Sequence, residues 1–454
     1  MTITNDRTHE CANEPNTDGI VPGVAPAFRS DRWPMLGPVP RGPRAQVSAA
    51  VCRRIFDAAT RRLGITVSYR STGSGTSGGS ETNGGSGTDA GSGAGADLVL
   101  HRPEEFFARV GTDGLIGFGE SYLTGAWDAP HLAETLTVLC QQLTDLVPKW
   151  MQRLRAAYVR RPPADDLNSE DNTRDNIGHH YDLSNDLFRL FLDESLSYSS
   201  GLFDHLPADE DLETAQHRKI DRLLDEARVG DGTRVLEIGT GWGELAIRAA
   251  ARGATVRSVT LSVEQQQLAR ERIADAADRL GFSADRVQVD LLDYRAVTGE
   301  YDAIVSVEMI EAVGHEFWAT YFAKIDSLLA PGGTVAIQAI TMPHLQMLAT
   351  RYTYTWINKY IFPGGFLPST EAIDQITRQH TSLRVANRLQ FGRHYAETLR
   401  RWDERFLAAS EEVLALGFDQ RFLRMWHFYL EYSRAGFASG YLDVQQLTFT
   451  REDS

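Results

Sequence analysis

A chain of 454 residues exceeds one ordinary hydrophobic core, so two domains are expected. A net charge of −15 argues against nonspecific nucleic-acid binding, which needs a basic face, yet leaves room for a local basic patch at a membrane surface. Three scattered cysteines, Cys11, Cys52 and Cys140, have no metal or redox spacing and point to a reducing compartment, and no apolar run reaches membrane-spanning length.

Residues 1–40 are rich in Pro, Gly, Asp and Asn and read as a flexible leader; Met1-Thr-Ile-Thr-Asn-Asp has no signal-peptide core, which points to the cytoplasm. An N-terminal domain over 41–161 follows. Val51 to Leu63 has helical spacing, while Ile65 to Tyr69 and Asp97 to His101 read as strands paired in a hairpin. Between them, residues 71–96 form a Gly/Ser/Thr insertion too polar to order itself. A long amphipathic helix is expected from Ala129 to Arg161. Its end carries Lys149, Arg153, Arg155, Arg160 and Arg161 among Trp150, Met151, Leu154, Tyr158 and Val159. Such an end suits anionic lipid headgroups, and equally an ordinary solvated helix end whose cations face the dipole; both readings stand.

After a polar linker at 162–175, the most informative stretch is Val235-Leu-Glu-Ile-Gly-Thr-Gly-Trp-Gly243. This is a strand running into a glycine-rich turn, followed by a helix-forming run from Glu244 that Gly253 stops. Glu237 stands two residues before the first glycine. A carboxylate there suits cationic S-adenosylmethionine better than a dinucleotide, whose pyrophosphate needs the helix N-terminus. The plain alternative is a structural turn in another α/β domain. Further strands at Ala254–Leu261, Arg286–Asp290, Tyr301–Val307 and Thr334–Ile340, the last preceded by a turn at Pro331-Gly-Gly, alternate with helices as a doubly wound sheet requires. Ligands bind at the carboxyl ends of such strands, which places Glu237, Gly239, Thr260, Asp293, Glu308 to Glu311 and Gln338 on one rim. Thr260-Leu261-Ser262 stands where many methyltransferases carry an acid for the ribose.

These strings resemble the cyclopropane fatty acid synthase family, S-adenosylmethionine-dependent enzymes that methylate double bonds in lipid acyl chains. The resemblance is carried by Asn176 to Phe188, Leu196-Ser-Tyr-Ser-Ser200, Val235 to Gly243, Val259 to Gln266, Asp302 to Val307 and Trp356 to Gly365. Phe391 to Phe406, Tyr429 to Phe437 and Gly117 to Trp127 also match, so the similarity runs from about Val99 to Gln446. It implies an α/β, Rossmann-like class I methyltransferase domain over 176–446 and a tail at 447–454. A smaller N-terminal α+β domain and a helical, aromatic-rich lipid-binding region complete the expected fold.

The resemblance also implies how residues divide the labour. Tyr198 and Ser199 would face the methionine part of S-adenosylmethionine, Glu237, Gly239, Gly241 and Gly243 would form its loop, and Thr260, Leu261, Gln265 and Asp293 would lie toward ribose and adenine. Trp356 to Pro363, Trp402, Phe406, Trp426, Phe428, Tyr429, Tyr432 and Phe437 suit an acyl tunnel, although each aromatic taken alone is better read as core. Cyclopropane-forming relatives hold a bicarbonate through a Cys backbone, a Glu, a His and a Tyr. Here Glu311 and Tyr395 match, Ser200 replaces the Cys, Gln338 the His, and Ala312 a His after the Glu. These changes put bicarbonate, and a cyclopropane product, in doubt. They resemble the actinobacterial subgroup that makes 10-methylene precursors of tuberculostearic-type lipids. Glu311 is the first choice for removing a proton or stabilising the cation. Gln338 could replace hydrogen bonds of a His but cannot titrate, and its alternative is a polar strand end. The implied partners are an unsaturated phospholipid at the inner membrane face and a separate reductase acting next; self-association is open. Cyclopropanation is the second reading. An inactive lipid-binding protein and an O- or N-methyltransferase of small polar substrates are weaker ones.

Overall fold

The computed structural model describes residues 33–69, 97–142 and 184–451. The expected insertion and the basic helix end with its linker lie outside the described residues. Helix Pro43–Leu63 has proline in its first turn and stops at Gly64, whose φ of 67° lets its amide reach the Arg61 and Thr60 carbonyls. A small sheet then runs in the order β1 (Thr66–Tyr69), β2 (Asp97–Leu100), β3 (Trp127–Asp128). β1 and β2 pair in parallel rather than as the expected hairpin. The connection over 70–96 is long enough for the crossover that parallel strands need. β2 instead pairs antiparallel with β3. Of the long helix expected from Ala129, the described part is Leu132–Gln141.

Helices Pro103–Asp113 and Leu115–Leu123 meet at a glycine. A Cβ at Gly117 would lie 2.1 Å from the Arg109 carbonyl oxygen. Phe106, Phe107, Trp127 and Leu132 from this region share one buried cluster with Trp402, Phe406, Trp426 and Phe428 of the C-terminal helices. The apolar core is therefore continuous between the two parts of the chain. Arg424, 2 % exposed, reinforces the junction by donating to the Tyr122 carbonyl at 2.7 Å and to Asp128 at 2.5 Å.

The C-terminal part contains β4 (Arg234–Ile238), β5 (Thr255–Thr260), β6 (Val287–Leu291), β7 (Tyr301–Val307), β8 (Leu329–Thr341), β9 (Leu383–Gln390) and β10 (Asp443–Arg451). Their spatial order is β6-β5-β4-β7-β8-β10-β9. The first five in that order are parallel, and β10 runs antiparallel between β8 and β9. This is the doubly wound α/β sheet expected from the sequence. Both faces of β4 are covered: Val235 packs with Leu223 and Ala246, Leu236 with Tyr321 and Ile325.

Two expectations are corrected. The turn at Pro331-Gly-Gly is an irregularity inside β8, where pairing jumps from Tyr301↔Leu329 to Ala303↔Thr334. The tail expected at 447–454 instead supplies the second half of β10 through Arg451, with Leu447 and Phe449 buried between two neighbouring strands.

One acid interrupts the core of β4. Register places Glu237 opposite Ser258 of β5, whose hydroxyl donates to the carboxylate at 2.5 Å. Burial pushes the Glu237 carboxyl up to about 8, against the pull of the Ser258 hydrogen bond. The folded state thus binds a proton that the unfolded chain releases near pH 4.5, so stability from this group is lost as pH rises from there toward 8.

Glu237→Gln should keep the Ser258 contact and flatten the urea-measured stability between pH 5 and 8, removing a slope of up to about 1.4 kcal/mol per pH unit. An unchanged slope would show that Glu237 is ionised in the fold. Gly117→Ala should destabilise the N-terminal region by about 1–3 kcal/mol, read as a fall in Tm, because backbone rather than a side chain must yield.

Candidate functional site

The site lies along the carboxyl edge of the parallel strands. Beyond β4, Gly239, Gly241 and Gly243 adopt φ of 96°, 51° and 92°. These values bring bare backbone to the rim, where a side chain would strain the turn. A Cβ at Gly239 would fall 2.5 Å from the Met309 side chain, whereas none of the surrounding atoms lies within 4 Å of one at Gly241. The loop is thus pressed against the end of β7 on one side and open at Gly241. Glu237 sits beneath it: Ser258, its hydrogen-bond partner, also bonds Thr240 of the loop at 2.7 Å. Gly243 caps helix Glu244–Ala251, and Gly253, at φ 92°, follows that helix as expected.

At the end of β5, Thr260 donates to Gln265 at 3.1 Å, and Ser262 caps helix Val263–Leu280 through the Gln265 amide. Leu261 is half-buried between them. Asp293 follows β6 and accepts from the Arg295 backbone and guanidinium at 2.8 and 2.6 Å. Burial raises this carboxyl, but the Arg295 contacts outweigh it and hold it below its usual range.

Across the rim, the segment before helix Leu212–Glu226 brings in three more predicted residues. The Tyr198 ring stacks on Trp402 at 5.2 Å, and its hydroxyl pairs with that of Tyr429 at 2.8 Å. Ser199 accepts a 2.6 Å hydrogen bond from Lys219. Lys219 is 1 % exposed, and burial lowers its ammonium to about 8. The backbone amide of Ser200 donates at 3.0 Å to the carboxylate of Glu308.

Glu308 is the centre of the site. Its Oε1 also accepts from the Gln338 side chain at 2.9 Å, and its Oε2 from the Tyr395 hydroxyl at 2.7 Å. The second proton of the Gln338 amide goes to the Ser200 carbonyl at 3.3 Å, and the Gln338 carbonyl accepts from Gln446 of β10 at 3.1 Å. Burial raises the Glu308 carboxyl, with Gln338, Ser200, Tyr395 and Lys219 pulling the other way. Its backbone φ of 52° is in the left-handed region.

The structure therefore brings together Ser200, Gln338 and Tyr395, but around Glu308. Glu311 stands one turn on, in helix Ile310–Val313. One of its oxygens accepts from the Ile340 amide, and its buried Oε2 has no hydrogen-bond partner among the described residues. Burial first, and the nearby Glu308 charge second, push this carboxyl up to about 8.

The sequence had placed Glu308 on the rim without a role, and Lys219 and Gln446 had gone unread. A lysine in an amphipathic helix looks like a surface residue, and only the fold reveals its burial. Most of the predicted tunnel aromatics are core: Trp402, Phe406 and Trp426 are fully buried, and Trp356 packs on Phe428 at 4.9 Å. Tyr432, 37 % exposed, differs. Of these rings, Trp402 packs against both Tyr198, at 5.2 Å, and Tyr395, at 6.1 Å.

Residues 168–447 match the mycolic acid cyclopropane synthetase family. The chain is 53% identical over 431 residues to tuberculostearic acid methyltransferase UfaA1 of Mycobacterium tuberculosis, covering 94% of this chain and 97% of that protein. It is 36% identical over 363 residues to the cyclopropane-fatty-acyl-phospholipid synthase of Escherichia coli K12, covering 79% and 88% of the two chains. The solved structure of cyclopropane synthase MmaA2 from Mycobacterium tuberculosis aligns with a TM-score of 0.55 at 30% identity, over 61% of this chain and 97% of that one. Mycolic acid cyclopropane synthase CmaA1, complexed with SAH and CTAB, aligns with a TM-score of 0.55 at 29% identity and the same coverage. With more than half its length matched, and the expected glycine loop and carboxyl-edge pocket in place, this chain belongs to the mycolic acid cyclopropane synthetase family.

Proposed function

We propose that this S-adenosylmethionine-dependent C-methyltransferase methylates the cis double bond of an oleoyl-type phospholipid chain and yields a 10-methylene chain. A separate reductase would saturate that product to a methyl branch. The observation that carries the reading is the pair of desolvated acids, Glu308 and Glu311, set between the glycine loop and an aromatic wall. The likeness to a tuberculostearic acid methyltransferase over nearly the whole chain favours the methylene product over the cyclopropane alternative.

S-adenosylmethionine supplies an electrophilic methyl group. The residues present fit it: Gly239, Gly241 and Gly243 turn with positive φ beyond β4, and Tyr198, Ser199, Thr260, Leu261, Gln265 and Asp293 would make the remaining contacts to the methionine, ribose and adenine parts. An isolated alkene is a weak nucleophile, so the pocket must hold it in line and exclude water. The ring faces around Tyr198, Trp402 and Tyr395 provide the apolar wall and can stabilise a cation as it develops. An acid of the Glu308–Glu311 pair then takes a proton from the new methyl group, within the cluster formed by Ser200, Gln338 and Tyr395.

Contact with the bilayer is supported by Leu345, Leu348 and Tyr352, which are 76 %, 46 % and 63 % exposed just beyond the carboxyl end of β8. Among the described residues no helix is long and apolar enough to cross a membrane, which fits a peripheral rather than a spanning association.

Purified protein given S-adenosylmethionine and an oleoyl phospholipid should release a lipid whose proton NMR spectrum shows exocyclic vinyl protons. Cyclopropane and methylene products have equal mass, so mass alone does not decide. High-field ring protons would replace this reading with cyclopropanation, and no lipid-dependent turnover would overturn both.

A further inference from the structure

We propose that the carboxylate of Glu308 is a built-in proton acceptor that fills the place of a bound bicarbonate. The chemistry invoked rests on the methyl transfer proposed above, but the assignment of the site rests on geometry alone.

The hydrogen-bond donors of Ser200, Gln338 and Tyr395, which would hold a small oxyanion here, are already engaged, three of them by Glu308. The Ser200 amide and one Gln338 proton reach its Oε1 at 3.0 and 2.9 Å, and the Tyr395 hydroxyl reaches its Oε2 at 2.7 Å. The remaining Gln338 proton is on the Ser200 carbonyl. A bicarbonate would find no free donor from these three residues. It would also stand beside the Glu308 carboxylate, where a further negative charge is repelled. The residues present therefore do not fit that anion.

The backbone of Glu308 bears a cost that its side chain explains. A φ of 52° is a conformation that glycine adopts freely and glutamate rarely does. It is held because the following residue, Met309, is wedged against Gly239 of the loop, and because the Glu308 backbone amide donates to the Gln338 backbone carbonyl at 2.8 Å. The result is a carboxylate fixed beside the glycine loop with both oxygens held by donors, in a residue that keeps some exposure at the carboxyl edge.

Glu311 is built for the opposite state. It has one backbone donor, and its second oxygen is buried with no partner among the described residues. Two acids set in such different surroundings divide into a charged and a neutral member. Burial raises the Glu308 carboxyl, but three neutral donors and the Lys219 ammonium pull against it, whereas Glu311, with one donor, is pushed up to about 8 and is the better holder of a proton.

The step balances. As the S–CH₃ bond breaks toward sulfur, the alkene electron pair bonds the methyl carbon and leaves a cation on the neighbouring carbon. A hydride moves from the methylated carbon to that neighbour, so the charge sits on the methylated carbon. Glu308 removes a methyl proton, and the C–H electron pair becomes the C=CH₂ bond. Glu308 later releases the proton to water.

The test begins without lipid. ¹³C NMR of labelled bicarbonate mixed with protein and S-adenosylhomocysteine should show no bound signal in the wild type. Glu308→Gly, which relieves the left-handed backbone and frees the three donors, should bind it. A bound signal in the wild type, or none in folded Glu308→Gly, would overturn the assignment even if the lipid reaction is something else. In turnover with oleoyl phospholipid, the wild type should be indifferent to bicarbonate depletion. Glu308→Gln should lose about 10²–10⁴-fold in kcat, with S-adenosylhomocysteine affinity within about threefold. Added bicarbonate should restore activity to Glu308→Gly and not to Glu308→Gln, whose side chain still blocks the cradle. Retained kcat in Glu308→Gln, or no rescue of Glu308→Gly, would make Glu308 a packing residue and refute the proposal.

Discussion

A desolvated carboxylate must be given hydrogen-bond donors, and the architecture around Glu308 follows from meeting that demand. Its three donors come from the segment before helix Leu212–Glu226, from β8 and from helix Gly392–Ala408. Gln446 of β10 then fixes the Gln338 amide by occupying its carbonyl, and donates as well to the Lys219 carbonyl at 2.9 Å. Five separated stretches of chain are thereby tied to one side chain at the end of β7. Networks of this kind are stable when every member is satisfied and costly when one is not. That asymmetry is a physical reason for the whole carboxyl edge to be rigid there.

The N-terminal region bears on the site through a second buried ionic cluster. Glu120, 3 % exposed, accepts from Arg109 at 3.2 Å, from Lys359 at 2.5 Å and from Tyr360 at 3.0 Å. Lys359 and Tyr360 belong to helix Trp356–Tyr360, and Gly119 leaves room for the Trp356 ring, which would lie 2.4 Å from a Cβ there. The small domain thus positions the segment that closes the aromatic side of the pocket. A buried charge with several donors is weak evidence for added stability but strong evidence for a defined geometry.

Local chemistry made much of this legible in the sequence. Val235 to Gly243 announced a strand and a left-handed glycine turn, because both depend on neighbours in the chain. Gly253 marked a helix end for the same reason. Long-range pairing was not legible. Residues 66–69 and 97–100 look alike whether paired parallel or antiparallel, and a stretch whose end reads as a tail from residue 447 gave no sign that β10 enters the sheet between β8 and β9. The candidate site shows the same division. Ser200, Gln338 and Tyr395 were found through resemblance, but their common partner was not. Glu308 lies three residues before Glu311, and only the left-handed turn between β7 and helix Ile310–Val313 turns its carboxylate toward them.

The position of β10 has a consequence for the order of events during synthesis. It is the last of the seven strands to leave the ribosome, yet it lies between β8 and β9, so β9 reaches the sheet only through it. Until β10 inserts, an open edge of β8 is exposed, and Gln338 lacks the neighbour that orients its amide. The glycine loop and the five parallel strands can form on the nascent chain, whereas the acidic pocket cannot. The glycine loop therefore takes shape before the hydrogen-bond network around Glu308 does. The unpaired edge of β8 during that interval is the stretch most in need of protection from association with other chains.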